Sequence, residues 1–219
     1  VADFGEMYRR DAHDFPSEVH DSDYLDRMKA AYPIHPELFE RLYQDWSTLE
    51  KFQRTRGVLR LMAAVIHQLW QEGDQSLLIM PGTLPLEART VKSELTRYLP
   101  DKEGWTAIID ADIDGPDSRP FHLDGDVPNL RKYKAAPRVA RTVFIGSAPS
   151  TGAQAVRGID EVRIKLATVQ PGESIPIFSD ALHRLTNLLM YLYNDSTRYW
   201  YDTRPTVNRM ARDRAQGFP

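Results

Sequence analysis

No cysteine occurs anywhere in the 219 residues. That absence excludes a disulfide scaffold and any thiolate zinc site. It fits a reducing compartment, so a cytoplasmic location is expected. No apolar stretch is long enough to cross a bilayer, and no apolar run follows a basic patch near the N-terminus. No membrane partner is expected. Positive charge is not in excess: 28 Lys and Arg stand against 31 Asp and Glu, a net charge of −3. That balance argues against a chain built wholly around nucleic acid, although it leaves room for a local basic patch.

Several catalytic signatures are also missing. There is no GxxxxGK[ST] phosphate loop. The nearest string, Gly146-Ser-Ala-Pro-Ser-Thr-Gly152, has the wrong spacing and runs into Ala153. The six histidines form no HExxH, and there is no G-x-S-x-G elbow. The chain is therefore not expected to hydrolyse ATP alone. It begins at Val1 rather than Met and breaks off abruptly in AQGFP, which reads as a piece of a longer protein.

What is present is enough apolar sequence for a packed core, 42% of residues. The pattern predicts a mainly α fold with short β. Residues 1–20 are polar and irregular, as in a linker or arm. A helix is expected over Ser22–Ala31, stopped by Pro33, and a second one begins at Pro36 with Leu38, Phe39, Leu42 and Trp46 on its apolar face. Thr55 is placed to cap the next helix. Val58, Leu61, Met62, Val65, Leu69 and Trp70 make its core stripe, Arg56, Arg60 and His67 lie opposite, and Gly73 ends it. A short strand, Leu77–Met80, and a charged helix from Glu87 to Leu99 follow. Residues 21–100 then form one helical subdomain.

Residues 101–134 are rich in Asp, Gly and Pro and read as a mostly loop connection, with a strand at Trp105–Ile109. Residues 135–219 have a different rhythm. A short helix from Pro137 to Gly146, a Ser/Gly/Thr-rich loop, a helix at Ile159–Thr168 and a long helix at Ile177–Tyr193 lead to an aromatic strand, Arg198–Tyr201. Three helices and then a strand pair is the order of a winged helix, a relative of helix-turn-helix. The tail around Arg209–Arg214 reads as a solvated helix.

Candidate chemistry is sparse. Asp110-Ala-Asp112-Ile-Asp114-Gly115 opens like a calcium loop, but the twelfth position is Phe121 rather than a bidentate Glu. A solvated acidic loop is expected, with no metal ligands assigned. His35, between Ile34 and Pro36, reads as structural. The densest signal is Phe52-Gln-Arg54-Thr-Arg56-Gly57-Val-Leu-Arg60-Leu-Met62. Three arginines surround a helix start, where free N–H groups already favour anions and guanidinium groups add bidentate bonds to phosphate. A solvated basic face, or ion pairs with Asp45 or Glu50, is the plainer alternative.

Gly57-x-x-Arg60 resembles the sensor-two motif of AAA+ ATPases. The longer strings Tyr32-Pro-Ile-His-Pro-Glu-Leu-Phe39, Tyr43-Gln-Asp-Trp-Ser-Thr-Leu49, Pro81-Gly-Thr-Leu-Pro85, Arg157-Gly-Ile-Asp160 and Tyr199-Trp-Tyr-Asp-Thr-Arg-Pro205 resemble one family, domain of unknown function 499, regarded as predicted AAA+ ATPases. The resemblance implies a helical AAA+ lid-like subdomain followed by a winged-helix-like domain. It implies nucleotide sensing by Arg60, with Arg56 and Arg54 as weaker candidates. The preceding ATPase core of the same chain would be the partner. ATP and Mg would belong to the full-length parent and no cofactor to this part. Members lie beside DNA methylases and in phage-defence clusters, which implies DNA, a methylase or other defence proteins as further partners. In a winged helix, His183, Arg184, Arg198 and Arg204 would contact phosphates, with Arg131, Lys132, Lys134, Arg138 and Arg141 as a second basic run. The alternative is a protein-interaction module with no nucleotide or DNA role, anchored by Tyr199, Trp200 and Tyr201.

Overall fold

The computed structural model describes residues 1–149 and 157–206, apart from the side chains of Glu50 and Arg54. The expected tail helix at Arg209–Arg214, and the end of the string from Gly146 to Gly152, lie outside the described residues.

The described chain is mainly helical with a small three-stranded antiparallel sheet. The helices are α1 (Ala2–Arg10), α2 (Ser22–Ala31), α3 (Pro36–Glu40), α4 (Arg54–Glu72), α5 (Arg89–Thr96), α6 (Lys102–Ile108), α7 (Arg119–Asp126), α8 (Pro128–Arg131) and α9 (Ala135–Ser147). They are followed by β1 (Ile159–Asp160), α10 (Glu161–Thr168), α11 (Ile175–Leu188), β2 (Leu192–Asn194) and β3 (Arg198–Tyr201). One buried cluster takes in Phe4, Trp46, Phe144 and Tyr201, so the core is continuous across residues 101–134.

The centre is α9. Every one of its thirteen residues except Arg141 is buried. A helix apolar all round has no solvent face, so its neighbours must surround it. The turn at Pro81–Thr83, α7, α10, α11 and β3 all pack on it. The α9 carbonyl of Ile145 would ordinarily bond the N–H four residues on, but residue 149 is proline and has none. Trp46 Nε1, from the turn after α3, donates to it at 2.9 Å. The indole also packs edge-on to Phe144, with centroids 5.9 Å apart.

Several local expectations change. Residues 1–20 are not an irregular arm. Phe4, Met7 and Tyr8 fall at helical spacing on α1 and are buried, with Tyr8 packed on Phe15 and Tyr24. The expected strand Leu77–Met80 is only one parallel bridge, Ile34 to Ile79. Trp105–Ile109 is not a strand: Trp105, Ile108, Ile109 and Ile113 are buried at helical spacing in α6 and the π turn that follows it. Residues 101–134 are therefore mostly helix, opened by an Asp101 cap on Gly104 N–H and a Ser118 cap on Phe121 N–H. The helix expected to reach Tyr193 ends at Leu188. There Asp112 Oδ2 accepts the N–H groups of Met190, at 2.7 Å, and Tyr191, at 2.9 Å. Those are donors that a continuing helix would need.

The sheet order is β1-β3-β2, with Ile159 opposite Tyr199 and Leu192 opposite Tyr201. Gly158 enters β1 with φ +77°, and a Cβ there would sit 2.4 Å from the Tyr199 carbonyl oxygen, so only glycine fits.

Ion pairs built around one buried carboxylate join the N-terminal segments to α10. Glu37, fully buried on α3, lies 2.9 Å from Arg163 of α10 and 3.0 Å from Arg41. Arg163 also holds Glu18 at 2.8 Å, and Lys165 holds Asp14 at 2.8 Å. Beside them His35 is fully buried. Its Nδ1 accepts from Glu37 N–H at 3.2 Å, so the ring proton sits on Nε2 and is directed to Tyr8 Oη at 2.9 Å. This is the structural histidine expected from sequence.

Two outcomes follow. Glu37→Ala removes the buried partner of Arg41 and of the partly exposed Arg163, which keep Asp45 and Glu18, and chemical denaturation should register a loss of about 2–3 kcal/mol, below the cost of breaking a wholly buried pair. A loss under about 1 kcal/mol would mean the pair contributes no net attraction. Burial pushes the His35 pKa down to about 3. Between that value and the unfolded value of about 6.5, only the unfolded chain takes the proton, so this contribution is full above that window and is lost as pH falls through it. His35→Asn keeps a capping acceptor and cannot titrate there. The stability gap between wild type and this variant should shift against wild type by up to about 1.4 kcal/mol per pH unit on acidification. A gap independent of pH would show that the ring is not neutral in the fold.

Candidate functional site

The basic string lies at the start of α4. No carboxylate occupies the first turn of this helix and no side chain caps it; Thr55, the expected cap, is already inside the helix. The cap position is Gln53, in a left-handed conformation with φ 52°. Gly57 has a packing reason: a Cβ there would sit 2.0 Å from the Phe52 carbonyl oxygen. Phe52 is itself fully buried, edge-on to Tyr98. The glycine of the Gly57-x-x-Arg60 motif thus lets the chain turn tightly into α4, which sets the direction in which Arg60 leaves the helix.

Arg60 is 49% exposed, and its Nη2 donates to Glu94 Oε1 of α5 at 3.0 Å. Arg97 shares the same oxygen at 3.0 Å. The other carboxylate oxygen, Glu94 Oε2, is buried and has no hydrogen-bond partner among the described residues. Between α4 and α5 runs an open groove of about 660 Å³, lined by Arg60, Ala63, Ala64, Arg89, Ser93 and Glu94, with Thr90. Arg56 and Arg89 are exposed and have no ion-pair partner among the described residues. The Arg54 side chain lies outside the described residues. Arg89 and Glu94 were not singled out from sequence. They stand about thirty positions from Arg60, and only the packing of α5 on α4 brings them together.

The same helix carries an unexpected apolar strip. Trp70, assigned to the core stripe, is 85% exposed. Val58, Leu61, Met62, Val65 and Leu69 face inward, whereas Trp70 is one 100° step beyond Leu69 and shares the outer face with Leu59 and Ile66. Apolar groups grouped on an outer surface beside basic ones mark a contact face more than a solvated one.

The second half separates the candidate phosphate contacts. His183 and Arg184 lie on the outer face of α11, and Arg204 is exposed after β3. Arg184 is held by Asp180, with Nε 2.9 Å from both carboxylate oxygens. Arg198 is turned inward. Its Nε donates to the Arg157 carbonyl at 2.9 Å, Nη2 donates to Gly158, and Asp160 is 3.6 Å away. Its donors fasten β1 to β3.

The second basic run is split: Arg131, Lys132 and Lys134 are exposed on the corner between α8 and α9, while Arg138 and Arg141 are engaged within the fold. Arg138 is buried against Glu173, at 2.6 and 3.0 Å, and lies over the Phe178 ring. Arg141 holds Asp114 at 2.5 Å. Nor is the Asp110–Asp126 stretch a solvated acidic loop. Asp112 and Asp114 are buried; Asp112 pairs with Arg119 at 2.5 Å, and Asp110 pairs with Lys92. Among the described residues no group of three or more His, Asp or Glu is arranged to hold a metal ion. Tyr201, expected as an exposed anchor, is buried. Its Oη donates to the Asp112 carbonyl at 3.0 Å and its N–H to Ser147 Oγ at 3.1 Å. Burial near Asp112 drives its phenol pKa well above the ordinary value. Tyr199 and Trp200 are half-buried, and Trp200 stacks on Tyr193 with centroids 5.8 Å apart.

Among the described residues no helix is long and apolar enough to cross a membrane. No curated protein and no solved structure matches this chain. A family match extends from the first helix to the last strand, taking in the α4 string and the three-stranded sheet: over residues 6–201 the chain matches the DUF499 second domain, and it belongs to that family.

Proposed function

We propose that this chain is the part of a AAA+-type ATPase that follows the nucleotide-binding core. In this reading it carries a lid whose Arg60 senses the bound nucleotide and a winged-helix-like module that contacts DNA or protein. The family's DNA-linked, phage-defence or DNA-modification setting belongs to the same reading. ATP and Mg would be held by the core, with the chain itself contributing no catalytic group.

The observation that carries the proposal is the setting of Arg60. It borders an open groove and, among the described residues, is restrained by a half-exposed ion pair with Glu94. Exposed pairs are worth about 0–1 kcal/mol, whereas a charge-assisted bond from arginine to an anion is worth about 1.5–3 kcal/mol. A phosphate brought to the groove by a domain that closes it off from water would then outcompete the exposed Glu94 contact. Arg56 on the same face, and Arg89 across the groove, extend the positive field. The strip of Leu59, Ile66 and Trp70 offers an apolar seat for the preceding core domain. For the second module, support comes from the element order α9-β1-α10-α11-β2-β3 and the β1-β3-β2 sheet, the arrangement of winged helices.

A protein-binding role for that module is the second reading. It is favoured by α11, where Asp180 neutralises Arg184. It is also favoured by Arg198, which is engaged within the fold.

In the full-length protein, Arg60→Ala should lower ATP turnover by about tenfold or more. The melting temperature of the 219-residue chain should stay nearly unchanged. Unaltered turnover would remove the sensor assignment. For the second module, DNA titration over a salt series distinguishes the readings. If DNA is the partner, replacing His183, Arg184 or Arg204 by alanine should weaken binding and reduce the salt slope by about 0.9 per lost phosphate contact. Salt-insensitive or absent DNA binding would favour the protein-interaction role.

A further inference from the structure

A cavity of about 280 Å³ opens between the turn before α7, α7 itself and the corner joining α8 to α9. It shares no residue with the Arg60 groove. Its charged lining divides into groups the fold uses and groups it leaves free. Asp114 and Arg141 are used: they pair with each other, and Asp114 also accepts Glu87 N–H at 2.8 Å. Asp124 is half used. It is only 5% exposed, and its Oδ1 accepts Ala136 N–H at 3.0 Å, while no described group donates to Oδ2. Arg131 and Lys134, on the α8–α9 corner, have no acidic partner among the described residues. The Nε of Arg141 is buried without a hydrogen-bond partner. Phe121, 52% exposed, adds an aromatic wall and Pro137 an apolar one.

Asp124 is thus a nearly enclosed carboxylate whose second oxygen is open to the cavity, where a donor or a cation can reach it. Burial holds the Asp124 carboxyl up near about 6, even though Ala136 N–H, Arg138 and Arg141 pull it down. Two cations free of partners line the same cavity from another element. Arg131 and Lys134 are exposed and offer donors to an anion, while Asp124 offers an acceptor to a cation, and all three line the same cavity. A ligand carrying both charges on an apolar body uses both sets and the Phe121 and Pro137 walls. The volume lies just below the roughly 300 Å³ at which sites for drug-sized ligands begin, which suits a single amino acid and excludes enclosing a whole nucleotide.

We propose that this cavity binds a free α-amino acid with an apolar or aromatic side chain. Its ammonium group bonds Asp124 Oδ2. Its carboxylate bonds Arg131 and Lys134. Its side chain lies against Phe121 and Pro137. Because Asp124 is tied to the first turn of α9 through Ala136, occupation of the cavity would be felt at the helix on which the whole core packs.

The test is calorimetric titration of the 219-residue chain with each of the standard amino acids, and with N-acetylated and decarboxylated forms of any that bind. Asp124→Asn keeps an acceptor for Ala136 N–H, so the fold is retained while the negative charge is lost. The expected result is saturable binding of one or more apolar amino acids. That binding should weaken about tenfold or more in Asp124→Asn and in the Arg131→Ala/Lys134→Ala double variant, and in both modified ligand forms. No saturable binding by the folded protein would overturn the proposal. So would binding that survives both sets of substitutions, and so would equal binding of the N-acetylated or decarboxylated ligand.

Discussion

Burial of α9 on all sides is the constraint from which the rest of this fold follows. A helix of thirteen residues with one partly exposed position cannot lie on a surface. It must be enclosed, and enclosing it requires elements from both ends of the chain. Trp46 comes from the N-terminal half and completes the hydrogen bonding of Ile145, which Pro149 cannot do. Tyr201 comes from the last strand and is held by Ser147, at the helix end. The helical first half and the sheet-bearing second half are thus two sides of one core.

Buried charge then fixes how those elements meet. Asp112 gathers Arg119, the N–H groups of Met190 and Tyr191, and, through its own carbonyl, Tyr201. Glu37 gathers Arg41 and Arg163. Such groups add little net stability compared with apolar packing, but an alternative packing that leaves one unpaired is heavily penalised. They therefore act mainly by excluding wrong arrangements. Residues 1–20 are ordered for the same reason: Asp14 and Glu18 are partners of α10, while Phe4, Met7 and Tyr8 fill the core.

The groups left free by this economy of pairing are the ones that bear on function. Among the described residues most buried arginines and aspartates are matched within the fold. Two places combine less fully matched charges with a groove or a cavity. One is the outer face of α4 with its groove, where Arg56, Arg60 and Arg89 lie beside an apolar strip. The other is the cavity beside α7, where Asp124 has one oxygen without a partner and Arg131 and Lys134 have no acidic partner among the described residues. In the proposed reading the first is the edge that meets a neighbouring domain, and the second is an open cavity that takes a small ligand.

The amino-acid sequence by itself determined the mainly helical class, most of the helices with strong periodicity, the last strand, the structural role of His35 and the family. These depend on local spacing, capping and composition, which are read along the chain. It also carried the basic start of α4, since Arg56 and Arg60 share a face by spacing alone. Tertiary structure decided what spacing cannot. Trp70 sits at the edge of an apolar pattern, and only packing shows that it faces outward. Residues 101–134 hold polar side chains that resemble loop until Arg119, Arg141 and the backbone after α11 supply partners for Asp112 and Asp114. Arg198 and Tyr201 read as surface groups until β1 and Asp112 are placed beside them. Arg89 joins Arg60, and Asp124 meets Arg131 and Lys134, through contacts between separate elements. Those contacts are set by the enclosure of α9 and leave no periodic mark in the chain.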